Sequence, residues 1–246
     1  MPSRPEDWIV PDWPAPARVR ALITTRNGGS SIGPYASMNV GLRVDDDPAS
    51  VEANRRLLKQ FLPAEPKWLN QVHGTSVVDA ETITHPVEAD ASVSTSGGCV
   101  SVVMVADCLP ILFADRTGSV VGAAHAGWRG LADGVIENTV RALDTSPQDL
   151  LAYLGPAIGP SAFEVGNEVR DAFVAIDQAA QVAFRPHKPG KWLADLFVLA
   201  RQRLARLGLQ DVYGGGHCTY SDPARFFSHR RDKVSGRMAA LIWIED

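Results

Sequence analysis

The chain has few cysteines and no long apolar run. Its three cysteines, Cys99, Cys108 and Cys218, are an odd number in 246 residues, which argues against a disulfide framework and for reduced thiols. No apolar stretch approaches the roughly 20 residues that cross a bilayer. The first twenty residues are broken by prolines and lack the apolar segment of a secretory signal. We therefore expect a cytoplasmic protein that makes no use of the membrane.

The chain also lacks an excess of positive charge. Against 28 aspartates and glutamates it has 24 lysines and arginines, which are dispersed, so nothing in the composition attracts nucleic acid. An anionic substrate must then be held by a local site. Neither the GxGxxG fingerprint of dinucleotide-binding folds nor a GxxxxGK[ST] phosphate loop is present. No repeat or low-complexity linker divides the chain, which favours one domain over residues 1–246 with a proline- and tryptophan-rich extension over residues 1–20.

Short apolar and β-branched runs predict several strands, and helical spacing predicts four helices. The expected strands cover residues 21–25, 68–72, 76–80, 99–105, 109–115, 119–125 and the C-terminal end. The expected helices cover residues 48–62, 131–143, 167–181 and 192–207. "DRTG" predicts a hairpin turn between the runs 109–115 and 119–125, although Pro110 limits how the first run can pair. Clustered strands with inserted helices favour an α+β fold.

Three β-rich runs end at a side chain that can bind a metal: His73 in "NQVHG", Cys108 in "ADCLP" and His125 in "AAHAG". Imidazole and thiolate are ligands that zinc favours, and a catalytic zinc commonly has three protein ligands and one open position. Spacings of 35 and 17 residues exclude a compact zinc finger but allow a site assembled from separate strand ends. The spacing leaves open that each residue is a core or surface side chain. The other histidines are His85 and His187, expected in solvent, and His217 and His229, for which either role is open.

A candidate anion site surrounds these residues. "GWRGLADGV" places Trp128 and Arg129 at a helix start, where free N–H groups and the helix dipole attract a phosphate or carboxylate. Arg129, Arg26 or the pair Arg230 and Arg231 could grip such an anion with two hydrogen bonds. For any single arginine the simpler interpretation is a side chain in solvent.

Several segments together resemble one family along nearly the whole chain, from about Ala21 to the C-terminus. They are "ITTRNGGSS", "MNVGL", "NQVHG", "EADA", "ADCLPILF", "AAHAGWRG", "GPAIGPSAFEVG" and "FFSHRRDKVSGRMAALIW". The sequence thereby resembles the YfiH-type family, formerly called multicopper polyphenol oxidases or laccase-domain proteins. The resemblance implies a single α+β domain with mixed β-sheets flanked by helices, and a zinc ion bound by His73, Cys108 and His125.

The resemblance also implies an activity. Family members are described as purine nucleoside phosphorylases that deaminate adenosine and cleave methylthioadenosine. Phosphorolysis needs a phosphate site, a pocket that stabilises positive charge on the ribose, and a proton donor for the purine. Candidates for phosphate or ribose binding are Arg26, Asn39 and Arg129; Asp107 and Glu164 are candidate acids or acceptors, Trp128 and Phe163 can stack on a purine, and Gln71 is a further substrate contact. Purine nucleosides and phosphate are thus the expected partners, and the chain is expected to act as a monomer or homodimer.

Three alternatives remain at this point. Multicopper chemistry requires several copper centres held mainly by imidazoles, and six histidines are too few, although copper could occupy the three-ligand site. A metal-free cysteine hydrolase, with Cys108 as nucleophile and His125 as base, would resemble the catalytic domain of cytotoxic necrotizing factors, which share the general fold type. Such an enzyme could edit peptidoglycan precursors. A non-catalytic metal-binding protein would leave the Gly-Trp-Arg-Gly segment without a purpose.

Overall fold

The computed structural model describes residues 5–246. Its strands are β1 (Val19–Ile23), β2 (Val77–Asp79), β3 (Ala91–Ser94), β4 (Ser101–Val105), β5 (Leu109–Asp115), β6 (Val121–Ala126), β7 (Leu150–Leu154), β8 (Glu164–Gly166), β9 (Phe184–Pro186), β10 (Lys191–Ala194), β11 (Asp211–Gly214) and β12 (Met238–Ile244). Its helices are α1 (Pro48–Lys59), α2 (Trp128–Asp133), α3 (Val135–Ala142), α4 (Asn167–Val174), α5 (Leu196–Leu207) and α6 (His229–Asp232). The expected α+β fold with mixed sheets is confirmed.

A six-stranded sheet in the order β11-β7-β5-β6-β3-β2 forms the centre of the fold. The pairs β2 with β3 and β7 with β11 are parallel, and the inner pairs are antiparallel. A separate antiparallel sheet in the order β1-β12-β4 packs on one face, and a small sheet in the order β8-β10-β9 lies apart. Residues far apart in sequence therefore meet across the two larger sheets.

The alternation of side chains along β5 shows how the layers pack. Ile111 and Phe113 point to one face and join the core formed with α3 and α5. Leu112 and Ala114 point to the other face and join the core formed with β4 and β12. Because successive strand residues point to opposite faces, a strand that is apolar throughout must be covered on both sides. The order of layers is thus helices, large sheet and three-stranded sheet, with α1 packed on the outer face of the last.

The hairpin between β5 and β6 is confirmed. Gly118 occupies the left-handed region in the turn, with φ of 73°, and the Asp115 carboxylate accepts the N–H groups of Ser119 (2.6 Å) and Val120 (2.9 Å). Pro110 pairs opposite His125 near the start of β5, and its carbonyl accepts the N–H of Gly155 at 2.9 Å. The proline therefore lies in an interior strand, at an end where its missing N–H removes no more than one ladder bond.

All four predicted helices have wrong limits. The helix predicted over residues 48–62 ends earlier, at Lys59, and each of the other three differs for a local reason. Gly134, with φ of 103°, ends α2 and separates it from α3, which divides the stretch 131–143. The stretch 167–181 ends its α-helix at Val174 and continues as a separate 3-10 turn capped by the Asp177 side chain. Trp192 belongs to β10, and α5 begins only after Asp195, whose carboxylate accepts the N–H groups at the helix start.

The predicted strand over residues 68–72 was wrong. Only isolated bridges form in this region, from Lys67 to Ser101 and from Asn70 to Glu88. The Gln71 side chain takes the place of ladder pairing: its amide exchanges two hydrogen bonds, of 2.7 and 2.8 Å, with the backbone of Met104. Because the Gln71 side chain pairs with the β4 backbone, the chain after Gln71 does not have to run alongside β4 as a strand. It turns there instead, and His73 lies in this turn.

The N-terminal extension contributes to the core where it is described. Trp8 is buried beside Phe61, and Ile9 exchanges backbone hydrogen bonds with Ile23. Residues 1–4 of the extension lie outside the described residues. The expectation that the first twenty residues are not a secretory signal falls partly on those four residues. Within residues 5–246 no helix combines the length and apolarity needed to span a membrane.

Candidate metal and substrate site

The three predicted metal ligands converge at one end of the large sheet. Cys108 directly precedes β5, and His125 is the penultimate residue of β6, so the hairpin register places them side by side. His73 arrives from the turn before β2. Ligand atoms of the three side chains all lie within 4.8 Å of one another. The donor set is two imidazoles and one thiolate, and the cluster is open toward a cavity. Such a set suits zinc, with the fourth position left for another ligand.

Backbone conformation around the cluster is unusual. His73 has φ of 60° and Asp107 has φ of 91°, in the left-handed region that non-glycine residues seldom adopt. The Asp107 carboxylate holds its own turn by accepting the Thr219 hydroxyl and the Arg230 N–H, each at 2.6 Å. Such conformations cost free energy and persist only where the surroundings enforce them, which is common at functional sites.

A glycine allows the ligands to approach. A Cβ atom at Gly127 would lie 2.9 Å from both the Cys108 sulfur and the His73 ring. The next glycine of the same motif, Gly130, would place a Cβ atom 2.7 Å from the Gly74 carbonyl oxygen. The glycines of "AHAGWRG" thus allow the start of α2 to pack closely against the predicted metal ligands, which spacing in the sequence does not reveal.

The cluster is strongly coupled electrostatically. Burial would raise the pKa of the Cys108 thiol, but the neighbouring charges and hydrogen bonds of His125 and His73 outweigh it and lower the pKa to about 6. Burial would lower the pKa of His125, but the Cys108 thiolate and the Asp90 carboxylate raise it to about 9. The metal-free pair is therefore a thiolate and an imidazolium near neutral pH, and the thiolate is the form that binds metals and attacks electrophiles.

Asp90 lies behind the two histidines. The carboxylate is fully buried, and its Oδ1 atom lies 2.7 Å from Nδ1 of His125. Burial would raise its pKa, but the hydrogen bond with His125 and the N–H groups of Gly74 and Val72 lower the pKa below the ordinary value. The residue comes from the "EADA" segment, to which the sequence analysis assigned no role.

A cavity of about 570 Å³ opens in front of the cluster. Its apolar lining consists of Val44, Leu69, Met104, Ala106, Trp128, Ile158 and Phe163. Its basic lining consists of Arg43, Arg129, Arg230 and Arg237, with His229 beside them. A cavity that combines aromatic and aliphatic walls with several guanidinium groups can hold a flat apolar ring next to an anion.

The arginines of the cavity are held in different ways. Arg230 donates from Nη1 to the Glu164 carbonyl oxygen at 2.7 Å, and its guanidinium lies over the Phe163 ring. Arg237 donates from Nη1 to the carbonyl oxygens of Ser235 (2.9 Å) and Gly236 (3.0 Å). Arg129 is exposed and stacks on Trp128. Arg230 and Arg237 are therefore pre-oriented by backbone carbonyls, which reduces the ordering cost of binding an anion.

Three predicted substrate residues lie outside the cavity lining. Arg26 donates to the carbonyl oxygens of Ala36 (3.0 Å) and Pro223 (3.1 Å), so its guanidinium stabilises loops. Asn39 is buried and accepts the N–H of Arg237 at 2.8 Å. The Glu164 carboxylate contacts Lys188 at 3.1 Å and His187 at 3.3 Å. The predicted residues that do line the cavity are Gln71, Asp107, Trp128, Arg129, Phe163 and, of the predicted arginine pair, Arg230. The other member, Arg231, donates to the carbonyl oxygens of Thr219 (2.7 Å) and Phe226 (2.9 Å) instead.

The sequence analysis assigned no role to Arg43 or Arg237 and left His229 open, yet all three line the cavity. Arg237 carried a signal, because it lies in the motif "SGRMAALIW" that contributes to the resemblance. His85 is exposed, as expected. His217 packs against Phe226, with ring centroids 5.9 Å apart.

Fold and site together define an α+β protein with a His-Cys-His cluster of metal-binding type at the base of an arginine-lined cavity. The chain belongs to the YfiH-type family: residues 20–245 match the family model described as "Multi-copper polyphenol oxidoreductase laccase". Among curated relatives, a protein of Pseudomonas aeruginosa named purine nucleoside phosphorylase is 56% identical, covering 97% of this chain and 99% of its own. The Escherichia coli protein named purine nucleoside phosphorylase YfiH is 52% identical, covering 96% and 98%.

Solved structures agree with this assignment. A crystal structure of the Neisseria meningitidis protein NMB0706 has a TM-score of 0.95 and 51% identity, covering 98% of this chain and all of the other. The crystal structure of YlmD from Geobacillus stearothermophilus has a TM-score of 0.84 and 32% identity, covering 94% and 93%. The family fold therefore extends over nearly the whole chain.

Proposed function

We propose that the protein is a zinc-dependent purine nucleoside phosphorylase, which converts adenosine, inosine, guanosine or methylthioadenosine and phosphate into a free base and a sugar 1-phosphate. The observation that carries the proposal is the His73, Cys108 and His125 cluster at the base of a cavity with aromatic and guanidinium walls. The names of relatives that are 52% to 56% identical over nearly their whole length support it.

The cluster fits a resident metal by its chemistry. Cys108 has a lowered pKa and therefore offers a thiolate, and His125 has its outer nitrogen engaged by Asp90, which leaves the other nitrogen toward Cys108. When bound by these residues, zinc would supply a positive charge that polarises an oxygen in the cavity. Copper could occupy the same donor set.

The chain's own residues are assigned to the reactants as follows. Arg230, Arg237 and Arg129 bind phosphate, and Phe163 and Trp128 stack on the purine. A phosphate oxygen forms a bond to the ribose C1′ carbon while the glycosidic bond breaks. The electron pair of the glycosidic bond leaves with the base, and the base takes up a proton. His229 in the cavity wall is the candidate donor of that proton.

Asp107 acts as a fixed acceptor rather than an acid in this proposal. Both carboxylate oxygens already accept hydrogen bonds, from Thr219 and from the Arg230 N–H. A negative charge held at the cavity wall stabilises positive charge that develops on the ribose. Adenosine deamination, in which water displaces the amino group of the purine as ammonia, is proposed as a second activity of the same cavity.

The test combines metal analysis with product analysis. Inosine and adenosine are incubated with and without phosphate, using the wild-type protein and Cys108→Ala. We expect stoichiometric zinc, base release that requires phosphate, and loss of both in Cys108→Ala. The matched control is Cys218→Ala, which removes a similarly half-buried thiol that lies outside the cluster and accepts the Gly159 N–H. Phosphate-dependent base release that persists in Cys108→Ala would refute the proposal.

A second candidate is a cysteine hydrolase acting on peptidoglycan precursors. The thiolate and imidazolium pair of Cys108 and His125 favours it, because this pair is an activated nucleophile with its base. The two proposals differ in the chemistry of the purified protein. A zinc ligand resists iodoacetamide until a chelator removes the metal, whereas a catalytic thiol reacts in untreated protein and holds no stoichiometric metal.

Polyphenol oxidation by several copper ions is disfavoured. Among residues 5–246, His73, Cys108 and His125 are the one group of histidine, cysteine or acidic side chains that could hold a metal ion together. It uses two of the six histidines, and His85 and His187 lie exposed elsewhere. Several copper ions bound per chain, together with phenol oxidation that requires them, would overturn this view.

A further inference from the structure

The "EADA" segment places one carboxylate behind both histidines of the cluster, and the proposed function uses only its contact with His125. Asp90 is fully buried and immediately precedes β3. Its Oδ1 atom lies 2.7 Å from Nδ1 of His125. The backbone adds a second link between the same two residues, because the His125 N–H donates to the Asp90 carbonyl oxygen at 2.7 Å.

The same carboxylate holds the turn that carries His73. Three consecutive N–H groups donate to it: Val72 to Oδ2 at 3.1 Å, His73 to Oδ1 at 3.0 Å and Gly74 to Oδ2 at 2.7 Å. Consecutive N–H groups converge on one anion when the backbone changes hand between them, and His73 has φ of 60°. The turn is thus an anion-binding concavity filled by a side chain of the protein itself.

We propose that Asp90 is the positioning residue of the metal site, which sets both histidine ligands at once. It takes the Nδ1–H of His125, so that Nε2 points toward Cys108 and the ion, and it holds the left-handed turn that directs the His73 ring to the same point. This inference rests on the proposed metal site. It goes beyond the three ligands, because it states that one charge couples two ligands that lie 52 residues apart in sequence.

The number of N–H donors around the Asp90 side chain requires a carboxylate at this position. Four N–H groups reach Asp90, three from the turn and one from His125, and they are shared between both oxygens. Asparagine has one acceptor oxygen, and its NH₂ group would face N–H donors that need an acceptor. Asp90→Asn therefore releases either the imidazole or the turn, with nearly the same side-chain volume.

The test measures zinc affinity of the full chain by competition with a chromogenic chelator. We expect Asp90→Asn to weaken zinc binding about 10- to 100-fold, as loss of a group that orients a histidine ligand commonly does. The matched control is Asp115→Asn. Asp115 is also a buried carboxylate that holds a turn, through the N–H groups of Ser119 and Val120, but it lies at the far end of β5 from Cys108.

The control separates positioning from stability. Both variants should lower the urea midpoint, whereas only Asp90→Asn should lose zinc affinity, and Asp115→Asn should stay within about twofold of wild type. Zinc affinity of Asp90→Asn within twofold of wild type would overturn the proposal, as would an equal loss in Asp115→Asn.

A second measurement uses the wild-type protein alone, so it does not depend on whether a variant folds. In nitrogen NMR of the wild-type protein, the His125 ring should carry a proton on Nδ1 that exchanges slowly with solvent, with zinc or without it. An unprotonated Nδ1 refutes the proposal. If the wild-type protein binds no zinc, the proposed cofactor fails. Slow exchange of the Nδ1 proton, rather than its presence, then decides whether Asp90 engages His125, because an imidazolium carries protons on both nitrogens.

Discussion

Replacing Gly127 by alanine tests whether the helix start is shaped by the metal ligands. Gly127 is the residue before α2, with φ of −65° and ψ of 159°, a conformation that alanine adopts without strain. Reduced freedom of the unfolded chain would then stabilise the variant by about 0.4–1 kcal/mol. The added Cβ atom, however, would lie 2.9 Å from the Cys108 sulfur and 2.9 Å from the His73 ring.

Two such contacts in a packed site cost about 1–3 kcal/mol. In the metal-free protein the two side chains can shift to relieve them, so we expect the free energy of unfolding to change by less than about 3 kcal/mol. With zinc the ligands must keep their positions, and the same cost becomes a loss of about 5- to 150-fold in zinc affinity. The perturbation therefore acts mainly on metal binding.

The assay is chelator competition for zinc together with urea unfolding in the presence of a chelator. Gly216→Ala is the matched control, because Gly216 is exposed and a Cβ atom there meets nothing within 4 Å. We expect the control to match wild type in zinc affinity. Undiminished zinc affinity of Gly127→Ala would refute the argument that close packing of α2 shapes the site.

Three further predictions follow from the site and the fold. In metal-free protein, alkylation of Cys108 should rise with pH through about 6, because its pKa is lowered to about 6 and the thiolate is absent below it; a rise only near pH 8 to 9, read by mass spectrometry, would contradict this. Arg237→Gln should raise the KM for phosphate about 10- to 100-fold and leave the KM for inosine unchanged, whereas Arg26→Gln, outside the cavity, should change neither; equal effects would exclude Arg237 from phosphate binding. Asp195→Ala should lower the free energy of unfolding by about 1 kcal/mol in urea, because α5 loses its cap, and an unchanged midpoint would contradict that role.

Elements that depend on neighbouring residues were predicted well. The β5 and β6 hairpin is confirmed because its turn chemistry lies within "DRTG" and both runs are apolar. The predicted ends of helices were wrong where the backbone conformation of a single residue sets the end, as the left-handed conformation of Gly134 does. The strand over residues 68–72 failed because the Gln71 side chain pairs with Met104, a contact that no local pattern contains.

The candidate site divides in the same way. Thiolate and imidazole chemistry is a property of the residue type, so the metal hypothesis could be stated for His73, Cys108 and His125 from the sequence. The convergence of the three is decided by the hairpin register and by the turn held on Asp90. Spacing along the chain carries no information about either.

The sequence alone determined the family, the α+β class and the kinds of side chain available at the candidate site. These follow from residue type, local periodicity and motifs, which are read along the chain. Only the tertiary structure decided which arginines face the cavity and which carboxylate supports the histidines: of the predicted arginines it keeps Arg129 and Arg230, it leaves out Arg26 and Arg231, and it adds Arg43 and Arg237. Such assignments depend on the direction in which a side chain points, and that direction is set by contacts between residues far apart in sequence.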